Sequence, residues 1–379
     1  MRKRILHIIT GLDTGGAERS LVNLLTGPLA GQFDAHVVSL DDEGDFAPAL
    51  IAAGVGVEPL YLRSRRSPIR AILELRTIVQ AYQPDLVQGW MYHGNLAASL
   101  AARFSGASVP VFWNVRQSLY DVRTEKRGTQ GVIRLLVCMS ARPAAIVYNS
   151  QQSRLHHEAF GFASRQGIVI PNGFDPARWH PDTGRRGAIR TLLGLCDDDI
   201  LLGFVGRHHP QKDVPTLLKA CAAAMSANSR LHIMLVGEGL TADNSALSRD
   251  FACLPPQRVH LLGQRDDVEA LLPGCDIFCL SSSSEAFPNA LGEAMACALP
   301  CVATDVGDCA LLLGQCGRVV PPGDPRAMAA AIAEIASASL ARRSEMGEAA
   351  RARIVDTFGL NTTIDAYAEL YHSVLKREN

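Results

Sequence analysis

Short apolar segments alternate with amphipathic segments along almost the whole sequence, and this alternation restricts the fold more than any other feature. The first five apolar segments lie at residues 5–10, 35–40, 85–90, 109–115 and 144–150. Helical patterns separate several of them, notably at 17–29 and 69–82. Short buried strands joined by helices indicate right-handed crossovers and therefore a parallel sheet.

The alternation pauses once and then starts again, which predicts two domains. Residues 169–187 are rich in Pro, Gly, Asn and basic residues without periodicity, so we interpret them as a linker. Further strand segments follow at 200–206, 231–237, 259–263, 276–282, 300–307 and 317–323, with helical patterns between them. The last pattern, 361–377, is an amphipathic helix that follows two others without an intervening strand.

The predicted fold class is α/β, with two Rossmann-like parallel-sheet domains that face each other across a cleft. A chain of 379 residues is too long for one ordinary core, which also favours two domains. We expect the first domain to comprise residues 1–172 and the second 173–358, with the C-terminal helix 359–379 packing back on the first. Ligands of such sheets bind at the carboxyl ends of the strands.

The composition excludes several classes of function. A net charge of −1 provides no general attraction for nucleic acid, so any anion site must be a local cluster. The ten cysteines lie mostly within apolar segments and, without a signal-like start, are expected to be reduced, buried thiols of a cytoplasmic protein. No apolar stretch approaches the length that spans a bilayer, so we expect any membrane role to be peripheral.

The strongest chemical pattern lies where the strand at 276–282 leads into a helix. Glu285 is in the turn and Glu293 is inside the helix that Phe287, Pro288 and Asn289 open. A helix N-terminus suits a phosphate, and carboxylates accept hydrogen bonds from sugar hydroxyls. Taken alone, the pair is explained better by a capping Glu285 and a solvated Glu293.

Two cations follow the first strand of the same domain. Arg207 and Lys212 could neutralise a diphosphate without a metal, or they could form a basic loop that pairs with Asp213 or solvent. The next two strands end at Gly237 and just before Arg265, and such ends should meet at one edge of the sheet. We interpret the acidic runs 41–45 and 197–199 as polar turns and not as metal sites.

The first domain offers glycines, one histidine and several arginines. Gly15 and Gly16 follow the first strand, but their spacing does not fit G-x-G-x-x-G, which argues against a dinucleotide site. His93 either donates to a sugar hydroxyl or caps a helix that starts near Asn95. Arg116 follows a strand and is a candidate for the acceptor side.

Two basic clusters of this domain form either a solvated surface or a surface that meets anionic lipid and a lipid-linked phosphate. Their members are Arg63, Arg65, Arg66 and Arg70 in one cluster, and Arg116, Arg123, Lys126 and Arg127 in the other.

In this order, the segments GGAER, PNGFD, GRHHPQKD, LVGEG and EAFPNALGE resemble glycosyltransferase family 4, whose members are retaining enzymes with the GT-B fold. The resemblance implies that Arg207 and Lys212 hold the donor pyrophosphate and stabilise the leaving group. It assigns Glu293 to the nucleotide ribose and Glu285 to the transferred sugar. The remaining implied donor contacts are Gly15 and Gly16, Gly237, Arg265 near the base, and the backbone around Phe287, Pro288, Asn289 and Ala290. Trp90 occupies the usual position of a catalytic-site histidine, which leaves His93 as the nearest imidazole.

The implied activity is transfer of a hexose from a nucleotide diphosphate sugar, with a UDP-sugar favoured, and neither a metal nor another cofactor is expected. The implied acceptor is a glycan or a polyprenyl-diphosphate-linked sugar of bacterial surface polysaccharide synthesis. Its hydroxyl attacks from the face that the diphosphate leaves, and a phosphate oxygen accepts the proton. The alternatives are a non-catalytic nucleotide-sugar-binding subunit and an epimerase or phosphorylase on the same fold.

Overall fold

The computed structural model describes residues 2–13, 15–62, 67–106, 108–247 and 251–376. The chain divides into two compact units. The first contains Met1–Gly173 and Leu360–Asn379, and the second contains Phe174–Gly359. None of the helices in these described ranges is both long and apolar enough to cross a membrane.

The first unit is built on a seven-stranded parallel sheet with the strand order β3-β2-β1-β4-β5-β6-β7. Its strands are β1 Lys3–Ile9, β2 Phe33–Ser39, β3 Gly56–Pro59, β4 Leu86–Trp90, β5 Val111–Val115, β6 Ala145–Tyr148 and β7 Gly167–Val169. Its first helices are α1 Gly16–Thr26, α2 Ala47–Ala52, α3 Pro68–Tyr82, α4 Met91–Ser105, α5 Arg127–Met139 and α6 Gln151–Phe160.

Successive residues of β1 belong to cores on opposite faces of this sheet. Ile5 and Ile9 pack in one apolar cluster, whereas Leu6 and Ile8 pack in another. A strand that is buried on both faces reads as a continuous apolar run, which is why ILHII was recognisable.

The second unit has a six-stranded parallel sheet with the order β10-β9-β8-β11-β12-β13. Its strands are β8 Ile200–Val205, β9 Leu231–Val236, β10 Val259–Gly263, β11 Ile277–Leu280, β12 Cys301–Thr304 and β13 Gly317–Val320. Its helices are α7 Thr183–Leu192, α8 Val214–Ala227, α9 Val268–Leu271, α10 Asn289–Ala296, α11 Cys309–Leu313, α12 Pro325–Ser337 and α13 Leu340–Thr357.

The last helix, α14 (Leu360–Leu375), returns to the first unit. Its Tyr371 hydroxyl donates to Gln88 Oε1 at 2.5 Å, and its Tyr367 hydroxyl accepts from Asn114 Nδ2 at 2.6 Å. Both tyrosines are buried in the cluster that contains Ile5 and Ile9. The helix therefore completes the core on one face of the first sheet.

The interpretation of residues 169–187 as an aperiodic linker is wrong at its two ends, because β7 ends at Val169 and α7 begins at Thr183. Asp182 caps this helix by accepting from the Arg185 amide at 3.0 Å. Arg186 and Arg190 then form ion pairs with Asp276 at 2.7 and 3.0 Å. Ion pairs attach the middle and the end of the helix, and Ile189 is the one apolar residue within it that packs against the core, so hydrophobic periodicity did not reveal it.

The expectation of buried thiols holds for only part of the set. All ten cysteines are free, and six are buried, but Cys138, Cys196 and Cys253 are exposed. Cys138 lies on the outer side of α5, and the other two lie in surface turns, where nothing in the apolar pattern forces burial.

We predict that Asp276→Asn lowers the free energy of unfolding by about 3 kcal/mol, because it leaves the Arg190 charge buried without its partner. The side chains of Arg190 and Asp276 are only 8% and 6% exposed. Asp198→Asn is the matched control, since the Asp198 pair with Arg230 is 77% and 60% exposed and should be worth well under about 1 kcal/mol. Denaturant unfolding measures both variants, and equal effects would contradict the prediction.

Candidate functional site

Three strand ends of the second unit are tied together at one edge of its sheet. The amide of Gly206, after β8, donates to the Val236 carbonyl at 2.9 Å. The His208 amide donates to the Glu238 carbonyl at 2.7 Å, and the Gly237 amide donates to the Gly263 carbonyl at 2.7 Å. The loops after β8, β9 and β10 therefore form one continuous rim, as the glycines in the sequence predicted.

Gly237 is the position where this rim permits no side chain. Its φ is +148°, and a Cβ atom there would overlap the carbonyl of Gly206. Only glycine allows both the backbone conformation and the close approach of the two loops.

Lys212 and Glu285 form an ion pair that joins this rim to the loop after β11. Lys212 Nζ lies 2.5 Å from Glu285 Oε1, and the two side chains are 24% and 12% exposed. The Ser282 hydroxyl donates to the same carboxylate oxygen at 2.7 Å, and the Ser281 hydroxyl donates to the Lys212 carbonyl at 2.7 Å. Two elements that are far apart in sequence are thus held in one fixed geometry.

This ion pair rules out the two simpler alternatives, which are pairing of Lys212 with Asp213 and helix capping by Glu285. The Asp213 carboxylate accepts from the Thr216 amide at 3.4 Å and caps α8, so it is not the partner of Lys212. Helix α10 has Pro288 at its N-cap without a side-chain capping bond, so Glu285 is not an N-cap residue.

Arg207 supplies the second positive charge of the rim. It is exposed and forms neither a hydrogen bond nor an ion pair through its side chain with the residues that the structure describes. Burial, together with the charges of Arg207 and Lys212, lowers the pKa of His209 below its ordinary value. This end of the sheet therefore favours an anion over a further cation.

An aromatic cluster positions the start of α10. The buried Phe287 ring stacks on Phe174 with centroids 6.1 Å apart and contacts Phe358 at 5.8 Å. Gly292 has no room for a Cβ atom, because the Phe174 ring packs against its Cα. Asn289 and Ala290 form the first helical turn after Pro288, and the half-buried Glu293 follows one turn later.

Arg265 is held at the outer part of the same edge. Its guanidinium forms two hydrogen bonds with Asp267, at 2.8 and 2.7 Å, and these bonds lower the pKa of the Asp267 carboxyl. The charge of Arg265 is therefore already compensated, and the base contact that the resemblance implies stays a prediction.

In the first unit, a residue that the sequence analysis missed lies beside the glycine loop. Gly15 is the N-cap of α1, and a Cβ atom there would overlap the carboxylate of Glu18. Burial raises the pKa of Glu18, while Arg116 acts in the opposite direction. A glutamate three residues after an N-cap is the capping-box position, which is the signal that could have identified it.

Arg116 is engaged inside the first unit. Its guanidinium donates to Asn114 Oδ1 and to the Tyr367 hydroxyl, both at 3.2 Å, and also to Asn172 Oδ1. It also lies over the Trp90 ring, 5.5 Å from the centroid. Arg116 thus joins the end of β5 to the 171–173 segment and to α14, and its contact with an acceptor stays a prediction.

His93 is the third residue of α4, which begins at Met91, so the expectation of a cap for a helix near Asn95 is wrong. Its side chain is exposed, whereas Trp90 is fully buried and donates to His7 Nδ1 at 3.2 Å. Burial lowers the pKa of His7 to about 3, so its ring is neutral and can accept that bond. Trp90 is therefore part of the core, and His93 is the exposed residue after this strand.

The predicted basic clusters are only partly described. Arg63, Arg65 and Arg66 lie outside the described residues, and Arg70 is 3.5 Å from Glu74. Arg123 pairs with Asp121 at 2.8 Å. Within the described ranges, no group of three His, Cys, Asp or Glu side chains could hold a metal ion, and metal independence stays a prediction.

We predict that Gly237→Ala lowers the free energy of unfolding by about 2 kcal/mol or more, because it combines backbone strain with overlap on Gly206. Gly323→Ala is the matched control: Gly323 has φ +70° but open space around its Cα, so about 1 kcal/mol of backbone strain is expected alone. Denaturant unfolding separates the two, and a smaller effect at Gly237 would contradict the predicted overlap.

Two family models match the two parts of the chain. The model for Glycosyltransferase Family 4 matches residues 14–178, and the model for Glycosyl transferases group 1 matches residues 199–338. Among solved structures, Anabaena HepE with UDP and glucose has a TM-score of 0.84 at 21% identity, covering 98% of this chain and 100% of that chain. WaaG, a glycosyltransferase involved in lipopolysaccharide biosynthesis, has a TM-score of 0.73 at 17% identity, covering 97% and 99%.

Curated relatives agree with the family models. The putative glycosyltransferase EpsF of Bacillus subtilis is 23% identical over 312 residues, which are 80% of this chain and 79% of EpsF. An Escherichia coli UDP-Gal:alpha-D-GlcNAc-diphosphoundecaprenol alpha-1,3-galactosyltransferase is 22% identical, with 80% and 79% covered. A D-inositol 3-phosphate glycosyltransferase of Geodermatophilus obscurus is 31% identical over 60% of this chain and 51% of its own length. With two parallel-sheet units that match the GT-B fold, the chain belongs to glycosyltransferase family 4.

Proposed function

We propose that the chain is a retaining, metal-independent hexosyltransferase that uses a UDP-sugar and acts in bacterial polysaccharide synthesis. Its acceptor is a hydroxyl of a glycan or of a polyprenyl-diphosphate-linked sugar. The observation that carries the proposal is the pair Lys212–Glu285, 2.5 Å apart, beside the exposed Arg207 at the carboxyl edge of the second sheet. HepE was solved with UDP and glucose, and the Escherichia coli relative is named for a UDP-sugar and a lipid-linked acceptor.

The two cations act on the leaving group. As the bond between the sugar and the diphosphate breaks, negative charge grows on the phosphate oxygens, and fixed positive groups stabilise it without reorganisation. Lys212 is oriented in advance by Glu285 and by the bond from Ser281 to its carbonyl. Arg207 is the more exposed group and can close on the diphosphate when the donor binds.

The two glutamates divide the remaining donor contacts. Glu285 lies beside Lys212, so its carboxylate is placed next to the diphosphate and can accept hydrogen bonds from hydroxyls of the transferred sugar. Glu293 lies on α10, two turns away along the chain, and is assigned to the ribose hydroxyls. The backbone from Phe287 to Ala290 contributes the positive end of that helix to the same site.

The reaction needs no nucleophile from the protein. The acceptor oxygen attacks the anomeric carbon on the face from which the diphosphate departs, and the bond from that carbon to the phosphate oxygen breaks. A departing phosphate oxygen takes the acceptor proton. The protein contributes position and electrostatic stabilisation, with the second unit binding the donor and the first unit, including Gly15, Gly16, His93 and Arg116, serving the acceptor and the donor phosphates.

We place the reaction in the cytoplasm, at the inner face of the membrane when the acceptor is lipid-linked. A non-catalytic nucleotide-sugar-binding subunit would bind UDP without turnover, and an epimerase would change the sugar without releasing the nucleotide. Release of UDP from a panel of UDP-sugars, with and without acceptor, distinguishes these functions from transfer.

We predict that Arg207→Ala and Lys212→Ala each lower turnover by about a hundredfold or more, because each removes a charge that stabilises the departing diphosphate. Release of UDP in the presence of excess chelator measures the effect. Lys219→Ala, an exposed lysine on the nearby helix α8, is the matched control and should turn over normally. Near-normal rates in both site variants, or activity that chelator abolishes and manganese restores, would contradict the proposal.

A second prediction separates the glutamates by the part of the donor that each one binds. Glu293→Gln should weaken binding of UDP alone about tenfold, because a carboxylate accepts stronger hydrogen bonds from ribose than an amide does. Glu285→Gln should leave UDP binding within about twofold while lowering turnover. Calorimetric titration with UDP decides between the roles, and the reverse pattern would show that they are exchanged.

A further inference from the structure

Two histidines lie between Arg207 and Lys212 in the sequence, and the proposed function assigns neither of them a contact. His209 is engaged within its own loop, because its Nδ1 accepts from the Gln211 amide at 3.3 Å. The half-buried side chain of His208 instead contacts the loop that follows β9. His208 is therefore an imidazole at the donor edge whose contacts do not belong to the turn that carries Lys212.

Gly239 and Asn244 hold the His208 ring. Gly239 has φ +75°, and a Cβ atom there would lie 2.9 Å from the Cβ atom of His208, so glycine is needed for this backbone conformation and for the close approach of the two loops. Asn244 Nδ2 lies 3.1 Å from His208 Nδ1. The position of the ring is thus fixed by a loop that is distant from it in the sequence.

The partners of the Asn244 amide determine which nitrogen of His208 carries the proton. Asn244 Nδ2 donates to the Gly239 carbonyl at 2.6 Å, and Asn244 Oδ1 accepts from the Ala246 amide at 3.1 Å. Exchanging the amide nitrogen and oxygen would break both bonds, so the group that faces His208 is an N–H donor. His208 Nδ1 therefore accepts, and the ring proton lies on Nε2. Nε2 has no hydrogen-bond partner in the part of the chain that the structure describes.

The strand order indicates which part of a donor would lie at His208. Along the carboxyl edge the loops follow one another in the order β11, β8, β9 and β10. Neighbouring strands are about 4.8 Å apart, so the β8 and β10 loops are separated by about 10 Å, which a nucleoside can span. A donor with its sugar at Glu285 and its diphosphate at Lys212 and Arg207 then extends its nucleoside past His208 towards the β10 loop, which carries Arg265.

We propose that His208 selects the nucleobase of the donor by donating its Nε2–H to a carbonyl oxygen of the base. Uracil offers such an oxygen, whereas adenine has ring nitrogens and an amino group but no carbonyl. Asn244 is a positioning residue, because it acts through the orientation and the protonated nitrogen of His208. The assignment rests on the proposed function, since it takes the diphosphate to lie at Lys212 and Arg207.

Calorimetric titration with UDP, ADP and inorganic pyrophosphate tests this assignment. His208→Phe keeps an aromatic ring but removes both nitrogens, and His208→Gln restores an N–H donor at a similar distance from the backbone. His232→Phe is the matched control in the same unit. The His232 imidazole also bonds through Nδ1, to His260 at 3.2 Å, but it lies at the amino end of β9 and so at the opposite edge of the sheet.

The unmodified protein should bind UDP about tenfold or more tightly than ADP. His208→Phe should weaken UDP binding about tenfold, because a carbonyl of the base loses its donor, and should leave ADP and pyrophosphate binding within about twofold. His208→Gln should recover most of the affinity for UDP, and His232→Phe should stay within about twofold of the unmodified protein. Asn244→Ala should weaken UDP binding about threefold without affecting pyrophosphate, because the His208 ring can then turn.

The position of the ring proton is measured separately by ¹⁵N NMR of histidine-labelled protein. The imidazole signals that His208→Phe removes should be those of a ring protonated at Nε2, and UDP should shift the Nε2 signal whereas pyrophosphate should not. A His208 ring protonated at Nδ1 would contradict the role of Asn244 and overturn the proposal.

Equal weakening of UDP, ADP and pyrophosphate by His208→Phe would place the imidazole on the diphosphate and overturn the proposal, as would an unchanged preference for UDP over ADP. An unmodified protein that prefers UDP in this His208-dependent way, yet releases no UDP from any UDP-sugar, would reject the proposed transfer and leave the nucleobase contact in place. An unmodified protein that does not bind UDP would reject both.

Discussion

Every strand in the two sheets pairs with its neighbours in parallel, and the site depends on that constraint. Parallel strands deliver all of their carboxyl ends to one edge, so loops that are distant in sequence become neighbours. In the second unit, backbone hydrogen bonds join the loops after β8, β9 and β10, and Lys212 extends the rim to Glu285. The rim closes only because Gly237 leaves its neighbour's carbonyl unobstructed. The parallel topology therefore determines that Lys212 and Glu285 lie close together.

The sequence carried enough information for the fold and for the strand ends that meet at one edge of the second sheet, because buried strands and strand-end residues leave local patterns. It did not determine which groups touch. Lys212 and Glu285 are separated by 73 positions, and the adjacent Asp213 was an equally plausible partner until its capping role at α8 became visible. Edge strands β3 and β7 also escaped recognition, since segments of four and three residues that are not fully buried show little apolar pattern. Helix α7 was also not recognised, because its arginines attach it to Asp276 through ion pairs, which leave no apolar pattern in the sequence.

In the first unit, a residue proposed for the acceptor side is also part of the packing. Arg116 was singled out from its position after a strand, and the structure confirms that position but surrounds the guanidinium with Asn114, Tyr367 and Asn172. Tyr367 and Asn172 come from distant parts of the sequence, so no local pattern could indicate these two partners. Any ligand that reaches Arg116 acts on the same group that fastens α14 to the sheet. If Arg116 contacts the acceptor as proposed, a substitution there would change acceptor binding and the attachment of α14 together.

The return of α14 to the first unit also sets an order for folding during synthesis. The first 173 residues leave the ribosome without Tyr367 and Tyr371, so the apolar face around Ile5 and Ile9 and the buried amide of Gln88 stay open to water while the second unit is being made. The second unit is one continuous segment and can close its own core first. A nascent chain therefore carries an unfinished first unit for about half of its synthesis, a period in which chaperones or unwanted partners have access to that face.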